Sequence, residues 1–188
     1  SKINSTIGRL RFFNNKIYLA TETGVSVLKT DIKNRRQIFQ PILEDKIKTQ
    51  VWDLLPYKEK LFIVSNNGLG SIDKDENYKQ FIDRKLSGSV YKIKQSKLLK
   101  DKILIGSRKG LGFVDPLKMD KIHFLKMDKG KIWNFYELPT SREIWTRIKG
   151  KGVYRLSFDT PEQLQKYNAK VTKFTTSDGL PVGSLDKI

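Results

Sequence analysis

The sequence predicts an all-β protein in which one unit of four antiparallel strands recurs four times. A glycine at a predicted turn recurs with spacings of 44, 42 and 42 residues, and the four positions are Gly24, Gly68, Gly110 and Gly152. Apolar side chains alternate around these glycines, so that Ile17 and Leu19 share one face of a strand and Tyr18 and Ala20 share the other. Such repeats are typical of β-propeller blades, whereas a sandwich of unrelated strands does not explain the regular glycines.

Each unit is predicted to contain three strands around its glycine and a fourth strand that carries a phenylalanine. The first three strands are predicted in the segments IGRLRFFNNKIYLATETGVSVLKTD, VWDLLPYKEKLFIVSNNGLGSIDKD, VYKIKQSKLLKDKILIGSRKGLGFVDP and IWNFYELPTSREIWTRIKGKGVYRLSFD. The fourth strands are predicted near Ile38, Phe81, Phe124 and Phe174. The resulting blades cover residues 7–50, 51–89, 90–131 and 132–184 of a partial propeller domain 1–188, and a fifth begins at 185–188. A helix is predicted only in TPEQLQKY, where Pro161 and Glu162 suit a helix start.

Charge is the strongest feature of the composition. The chain has 188 residues, with 37 Lys and Arg against 20 Asp and Glu, which gives a net charge of +17. Such an excess favours polyanionic partners, among them nucleic acid and sulfated or uronic polysaccharides, or it belongs to a solvated surface. The lysines are spread along the whole chain rather than grouped in blocks, so nucleic acid is not the expected partner.

The candidate binding residues lie in predicted turns. In an antiparallel sheet of four strands, the turn between the second and third strands and the linker to the next blade emerge on the same face. That face becomes more basic toward the fourth blade, through Arg84, Lys85, Arg108, Lys109, Lys129, Lys131, Lys149 and Lys151. These side chains could hold the sulfate or carboxylate groups of an acidic oligosaccharide, Arg by paired hydrogen bonds and Lys as point charges. Solvated hairpin tips are the alternative, and the favoured one.

Aromatic residues open the first strand of three units, at Trp52, Tyr91 and Trp133. Sugar rings stack on such side chains, so Trp133 joins the candidate ligand-binding residues; packing between blades is the alternative, and the favoured one. Polar neighbours of these aromatic residues are predicted to line a channel, and they are Arg9, Asp53, Lys92 and Asn134.

No catalytic residue, metal site or cofactor is predicted, and the chain is not expected to be an enzyme. The single histidine, His123, stands on a predicted outer strand and is expected to pack there or to lie at the surface, rather than to act as a ligand or a base. The chain has no cysteine and no phosphate-binding loop motif. Carboxylates recur at the ends of the third strands and are expected to cap turns, at Asp31, Asp73, Asp115 and Asp159. A carboxylate pair for glycoside hydrolysis would meet only in space, so that alternative stays open.

The repeated unit resembles the two-component regulator propeller repeat. The resemblance rests on KIYLATETGVSVL, KLFIVSNNGLGSID, KILIGSRKGLGFVD and EIWTRIKGKGVYRL, and on FTTSDGLPVGSLDKI, which is similar to the linker F-x-x-x-D-G-L-P-x-x-x-V of that family. The tryptophan usual in the second strand is kept at Trp145, and Tyr18, Phe62 and Leu104 replace it in the other units. The turn Lys149-Gly150-Lys151 is one residue longer than its three counterparts.

This resemblance implies a role in signalling. In that family such repeats form the extracytoplasmic sensor of membrane-bound hybrid histidine kinases in polysaccharide-using bacteria. We therefore expect a periplasmic, ligand-sensing fragment of a larger propeller that detects an oligosaccharide, acidic or sulfated according to the charge. The chain begins Ser-Lys-Ile-Asn without an initiator methionine, which fits an excised piece.

The larger protein to which this fragment is expected to belong is a histidine kinase. The fragment is expected to be attached to the membrane only through that parent protein. The remaining blades of the parent, or a second copy in a homodimer, are the expected protein partners. A non-catalytic assembly propeller is the alternative function, and a basic propeller that binds nucleic acid is less favoured.

Overall fold

The computed structural model describes residues 8–181 and contains four four-stranded antiparallel sheets. The first sheet consists of β1 (Leu10–Phe13), β2 (Lys16–Thr21), β3 (Gly24–Asp31) and β4 (Arg36–Ile42). The second consists of β5 (Val51–Tyr57), β6 (Lys60–Ser65), β7 (Gly68–Ile72) and β8 (Tyr78–Asp83). The third consists of β9 (Val90–Gln95), β10 (Ile103–Ser107), β11 (Gly110–Val114) and β12 (Ile122–Phe124). The fourth consists of β13 (Phe135–Leu138), β14 (Glu143–Ile148), β15 (Gly152–Ser157) and β16 (Lys170–Phe174).

In every sheet the strands lie side by side in chain order, which confirms the predicted architecture of four-stranded antiparallel blades. Two short helices, α1 (Arg84–Ser87) and α2 (Pro161–Gln165), and a 3₁₀ turn, Thr176–Asp178, lie between or after the strands. The helix predicted in TPEQLQKY is confirmed as α2, and Thr160 caps it by accepting a hydrogen bond from Gln163 N. The predicted start of a fifth blade at 185–188 lies outside the described residues. No helix within residues 8–181 is long and apolar enough to cross a membrane.

The chain divides into two compact units, Ser1–Ile93 and Lys94–Ile188, and their boundary falls within β9. In the first unit, one face of the first sheet packs against the second sheet. The residues in this core include Tyr18, Val25 and Val27 from the first sheet and Leu54, Leu61 and Ile63 from the second. All six are almost completely removed from solvent, so burial of apolar surface holds these two sheets together.

The second unit has a core of the same kind between the third and fourth sheets. Its buried residues include Leu104, Leu111 and Phe113 from the third sheet and Phe135, Ile144 and Tyr154 from the fourth. Ile144 and Ile148 of β14 both enter this core, and they lie on the same face of the strand, as its period of two requires.

Hydroxyl side chains close the turn between the second and third strands in the first three sheets. These residues are Thr21, Ser65 and Ser107. Ser107 Oγ, for example, donates to the carbonyl oxygen of Gly110 over 3.1 Å and accepts from Lys109 N over 3.1 Å. The fourth sheet has Ile148 at this position and a three-residue turn in which Gly150 has a φ of 72°. The turn Lys149-Gly150-Lys151, which is one residue longer than its counterparts, thus closes without a side-chain hydroxyl.

Three of the four recurring carboxylates cap turns, as predicted. Asp31 accepts from Asn34, Asp73 from the amides of Asp75 and Asn77, and Asp115 from the amides of Leu117 and Lys118. These hydrogen bonds hold the pKa of all three carboxyl groups below its ordinary value. Asp159 differs because its own amide donates to Gln163 Oε1 at the start of α2.

Candidate ligand-binding site

Seven of the nine predicted site residues lie on two turns and one linker of the second unit, which together we call the basic turn cluster. The turn after β10 carries Arg108 and Lys109, and the turn after β14 carries Lys149 and Lys151. The linker between β12 and β13 carries Lys129, Lys131 and Trp133. All seven side chains are exposed to solvent.

Two hydrogen bonds hold the linker against both turns. Lys151 Nζ donates to the carbonyl oxygen of Lys129 over 2.9 Å, across the turn of the fourth sheet. The amide of Ile132 donates to the carbonyl oxygen of Ser107 over 3.1 Å, beside the turn of the third sheet. The structure therefore joins the linker to both turns on one face of the second unit.

One acidic residue, Asp128, stands within this cluster. Its Oδ2 accepts a 2.7 Å hydrogen bond from the hydroxyl of Tyr154 and lies 3.4 Å from Lys173 Nζ. These contacts hold the pKa of the Asp128 carboxyl below its ordinary value, while burial, and then the bond to Asp128, raises the pKa of Tyr154. Asp128 thus anchors the linker to the fourth sheet and offsets one positive charge of the cluster.

Trp133 differs from the two aromatic residues at the equivalent positions of earlier units. Trp52 and Tyr91 pack edge to face with their ring centroids 5.4 Å apart, and Trp52 Nε1 donates to Asn66 Oδ1 over 3.0 Å. Trp133 is 40% exposed, and Lys131 Nζ lies 5.9 Å from its ring centroid. The packing alternative therefore describes Trp52 and Tyr91, and part of the Trp133 ring is accessible beside a cation. Such a pair can stack on a sugar ring and attract its anionic substituent.

The two remaining predicted site residues, Arg84 and Lys85, lie in the first unit on α1. The Asp83 side chain caps this helix by accepting from Leu86 N over 3.0 Å. Sequence reasoning placed these residues in a linker, because a four-residue helix is too short to show a period. Both side chains are exposed.

The polar residues predicted to line a channel include a buried ion cluster of the first unit. The side chain of Asp53 is fully buried, with its Oδ1 3.2 Å from Arg11 Nη2 and its Oδ2 2.7 Å from Lys92 Nζ. Oδ2 nevertheless lacks a hydrogen bond of correct geometry, so its contact with Lys92 is ionic. Oδ1 also accepts from Leu54 N, as Asn134 Oδ1 accepts from Phe135 N. Asp53 and Lys92 therefore act in packing rather than as accessible ligand contacts.

His123 is a packing residue, as predicted. Its ring stacks on that of Tyr167 with a centroid separation of 4.5 Å. Burial is the main cause that lowers its pKa below the ordinary value, and Lys121 lowers it further. No group of three or more His, Asp or Glu side chains in residues 8–181 is arranged to hold a metal ion.

A concave site that sequence reasoning missed lies at the turn end of the first sheet, and we call it the first-sheet pocket. Its volume is about 300 Å³, and its polar lining comes from Thr21, Glu22, Thr23, Ser26, Glu44 and Lys48. The turn after β2 and the linker after β4 both contribute to its lining. No motif marks these residues in the sequence; only their place in a turn and a linker of one repeat could have suggested that they meet.

No family model matches the chain, and no curated protein matches its sequence. Solved structures do match. The extracellular domain of the putative hybrid two-component system BT4673 from B. thetaiotaomicron aligns with a TM-score of 0.68 and 15% identity. The alignment covers 98% of this chain and 23% of that domain, and a second structure of the same domain, there described as a one component system, aligns with a TM-score of 0.67.

Propellers from other sources match as well. The Dos1 propeller aligns with a TM-score of 0.61 and 17% identity over 90% of this chain and 48% of that one. The computationally designed Ika8 protein aligns with a TM-score of 0.54 and 14% identity over 83% of this chain and 47% of its own. The fold is that of β-propeller blades. The chain spans less than a quarter of the BT4673 extracellular domain, whose fold agrees with the predicted resemblance to two-component propeller repeats.

Proposed function

We propose that this chain is part of the extracytoplasmic sensor of a two-component signalling receptor and contributes to the binding of an oligosaccharide. The observation that carries the proposal is the similarity over 98% of the chain to the extracellular domain of a putative hybrid two-component system. In this role the chain is non-catalytic, lies in the periplasm, and reaches the membrane and the histidine kinase through its parent receptor. Ligand binding would bias an interface between two arrangements, formed with a second copy or with further blades of the receptor.

The basic turn cluster is the proposed contact for acidic groups of that oligosaccharide. Six cationic side chains on two turns and one linker of the second unit create a positive potential that attracts sulfate and carboxylate groups. Trp133 adds an exposed ring at the same linker. Arg108 can bind such a group through two parallel hydrogen bonds, and the lysines act as point charges.

Calorimetry with sulfated and neutral oligosaccharides tests this contact. We expect the sulfated ligands to bind more tightly and to lose affinity as the salt concentration rises, because exposed charges are screened. The double variant Lys149→Gln/Lys151→Gln should weaken this binding. The matched control Lys100→Gln/Lys118→Gln removes the same charge from exposed positions at the opposite edge of the third sheet and should leave affinity unchanged. Binding of neutral oligosaccharides alone, without salt dependence, would contradict the acidic-ligand proposal.

The receptor assignment has a separate test. The reading frame that contains this chain should continue into a membrane span and a transmitter domain. A frame that encodes neither would contradict the sensor role, whatever the chain binds.

A second candidate function, docking of another protein, is favoured by one face of the fourth sheet. This forward face is the side of the sheet that points away from the third sheet. It carries Trp145, Arg147, Val153 and Arg155, together with the exposed Tyr136 and Leu138. The equivalent faces of the first and third sheets are apolar, and each is buried against the next sheet. Arg155 Nη1 lies 3.9 Å from Glu143 Oε1, so the forward face carries charges of both signs beside its apolar side chains and can complement the same face of a second copy.

The mass of the chain in solution as a function of concentration tests whether a second copy occupies this face. A mass that rises toward that of a dimer, and falls back when Tyr136 and Leu138 are replaced by serine, would support docking of a second copy. A monomer at every concentration would exclude it.

A further inference from the structure

The first-sheet pocket has the dimensions of a small-ligand site. Its volume of about 300 Å³ is at the lower end of the range for ligand pockets, about 300 to 1,000 Å³. Pro41 and Ile42, at the end of β4, supply apolar lining beside the polar groups. This combination suits a single compact ring rather than an extended chain.

Ser26 supplies the pocket with a hydroxyl group that a ligand could bind. The residue is only 5% exposed and its side chain lines the pocket. Within residues 8–181 its hydroxyl has no hydrogen-bond partner, whereas the hydroxyl of Thr21 donates to the carbonyl oxygen of Gly24 over 3.0 Å. A hydroxyl in the wall of a pocket that has no partner among the described residues is available for a hydrogen bond to a ligand.

The charged groups of the pocket define the chemistry of that ligand. The lining contains two carboxylates, Glu22 and Glu44, and one lysine, Lys48, which gives the pocket a net charge of −1 in a chain of net charge +17. Neither carboxylate has an ion pair or hydrogen bond to another described side chain. Carboxylates accept strong hydrogen bonds from hydroxyl groups and repel sulfate and uronate groups. The ligand is therefore rich in hydroxyls and carries no acidic group.

We propose that the first-sheet pocket binds one uncharged sugar residue through its hydroxyl groups. Glu22 and Glu44 accept hydrogen bonds from these hydroxyls, Ser26 and Lys48 donate to sugar oxygens, and Pro41 and Ile42 contact the ring. The assignment to a sugar rests on the proposed sensor function, while the place and the charge preference rest on the pocket alone. The site differs from the basic turn cluster in location and in sign of charge.

Titration of the isotope-labelled chain with glucose, galactose, mannose and glucuronate, followed by amide NMR, tests the proposal. At least one neutral sugar should shift the amides of the turn Thr21–Ser26 and of the linker around Glu44 and Lys48. Glucuronate should bind more weakly there. Glu44→Gln should weaken binding of the neutral sugar by about tenfold, because a hydrogen bond to a charged acceptor is lost. Ser26→Ala, which leaves both carboxylates in place, should also weaken it.

Glu59→Gln is the matched control, because it removes the same charge from the exposed turn between β5 and β6. It should bind the sugar as the unchanged chain does. Absence of shifts at these amides with every neutral sugar, or binding of glucuronate as tight as that of the neutral sugar that binds best, would overturn the proposal. Sulfated oligosaccharides could still bind the basic turn cluster in that case, so the pocket proposal would fail alone. Neutral-sugar binding in the pocket together with a reading frame lacking a transmitter would instead refute the sensor function alone.

Discussion

Lys92 Nζ lies 2.7 Å from Asp53 Oδ2 in the interior of the first unit, with 9% of the lysine side chain and none of the aspartate side chain exposed. Arg11, whose Nη2 is 3.2 Å from Oδ1, is the second cation on this carboxylate. Two opposite charges that are buried in contact stabilise each other. If one of them is removed, the remaining buried charge lowers the stability of the folded chain.

Asp53→Asn should therefore lower the free energy of unfolding by about 3 to 5 kcal/mol, because it leaves the buried lysine without a counter-charge. Denaturant unfolding at neutral pH measures the change. The double variant Asp53→Asn/Lys92→Met should regain part of the loss. Asp75→Asn, at an exposed turn, is the control and should stay within about 0.5 kcal/mol of the unchanged chain. A similarly small effect of Asp53→Asn would show that the ion cluster is not stabilising.

Stability should depend on pH through His123. Burial against Tyr167 lowers the pKa of His123 in the folded chain below the value of 6.5 expected when it is unfolded. Since the unfolded chain then binds more protons, the free energy of unfolding should fall as the pH drops through 6.5. His123→Phe should flatten this part of the profile while keeping an aromatic ring against Tyr167. Superimposable pH profiles for the two chains would contradict the prediction.

Two equivalent glycines of the second unit should respond differently to alanine. Gly110 and Gly152 have φ values of 131° and 137°, so a side chain strains the backbone at both positions. A Cβ on Gly152 would clash with the carbonyl oxygen of Phe174, whereas nothing lies within 4 Å of a Cβ on Gly110. Gly152→Ala should therefore lower the free energy of unfolding by about 2 kcal/mol more than Gly110→Ala. If denaturant unfolding gave the same loss of stability for both variants, β16 would have to move away from the new side chain at position 152 without a loss of free energy.

The arginines on the forward face of the fourth sheet should limit self-association. Arg147 and Arg155 occupy positions at which the first sheet has the buried residues Ala20 and Val27. Charged residues on an open sheet surface discourage pairing with other chains. In the double variant Arg147→Val/Arg155→Val, the sedimentation coefficient should therefore increase more steeply with protein concentration than it does in the unchanged chain.

Lys118→Val/Lys126→Val is the control for this prediction, since it adds the same apolar side chains at exposed positions away from the forward face. It should sediment like the unchanged chain. The same concentration dependence in both double variants would attribute the effect to general hydrophobicity rather than to this face.

The strand order and the turn glycines were predictable because alternation and turn conformation are local properties of the chain. The helix α2 was predictable for the same reason, from Pro161 and Glu162. In contrast, α1 spans only Arg84–Ser87 and has no period to detect. The start of the fourth sheet was also misplaced by sequence, because β13 begins at Phe135, two residues after Trp133.

The repeat made it possible to predict which segments of the candidate site lie together. Turns and linkers of successive units had to share a face, and the hydrogen bond from Lys151 to Lys129 shows that arrangement in the second unit. The repeat did not reveal that Trp133 is exposed while Trp52 is packed, since both occupy the same position in their units.

The alternation of apolar and polar residues predicts which face of a strand each side chain occupies. The amino-acid sequence was therefore sufficient to predict the order of the strands in each sheet and the positions of the basic turns. It does not state which group stands opposite across the space between two sheets. Asp53 meets Arg11 and Lys92 from other strands, and Ser26 and Glu44 line the same pocket, only after the chain has folded. These contacts join residues far apart in the chain, and side-chain packing in three dimensions sets their geometry and charge.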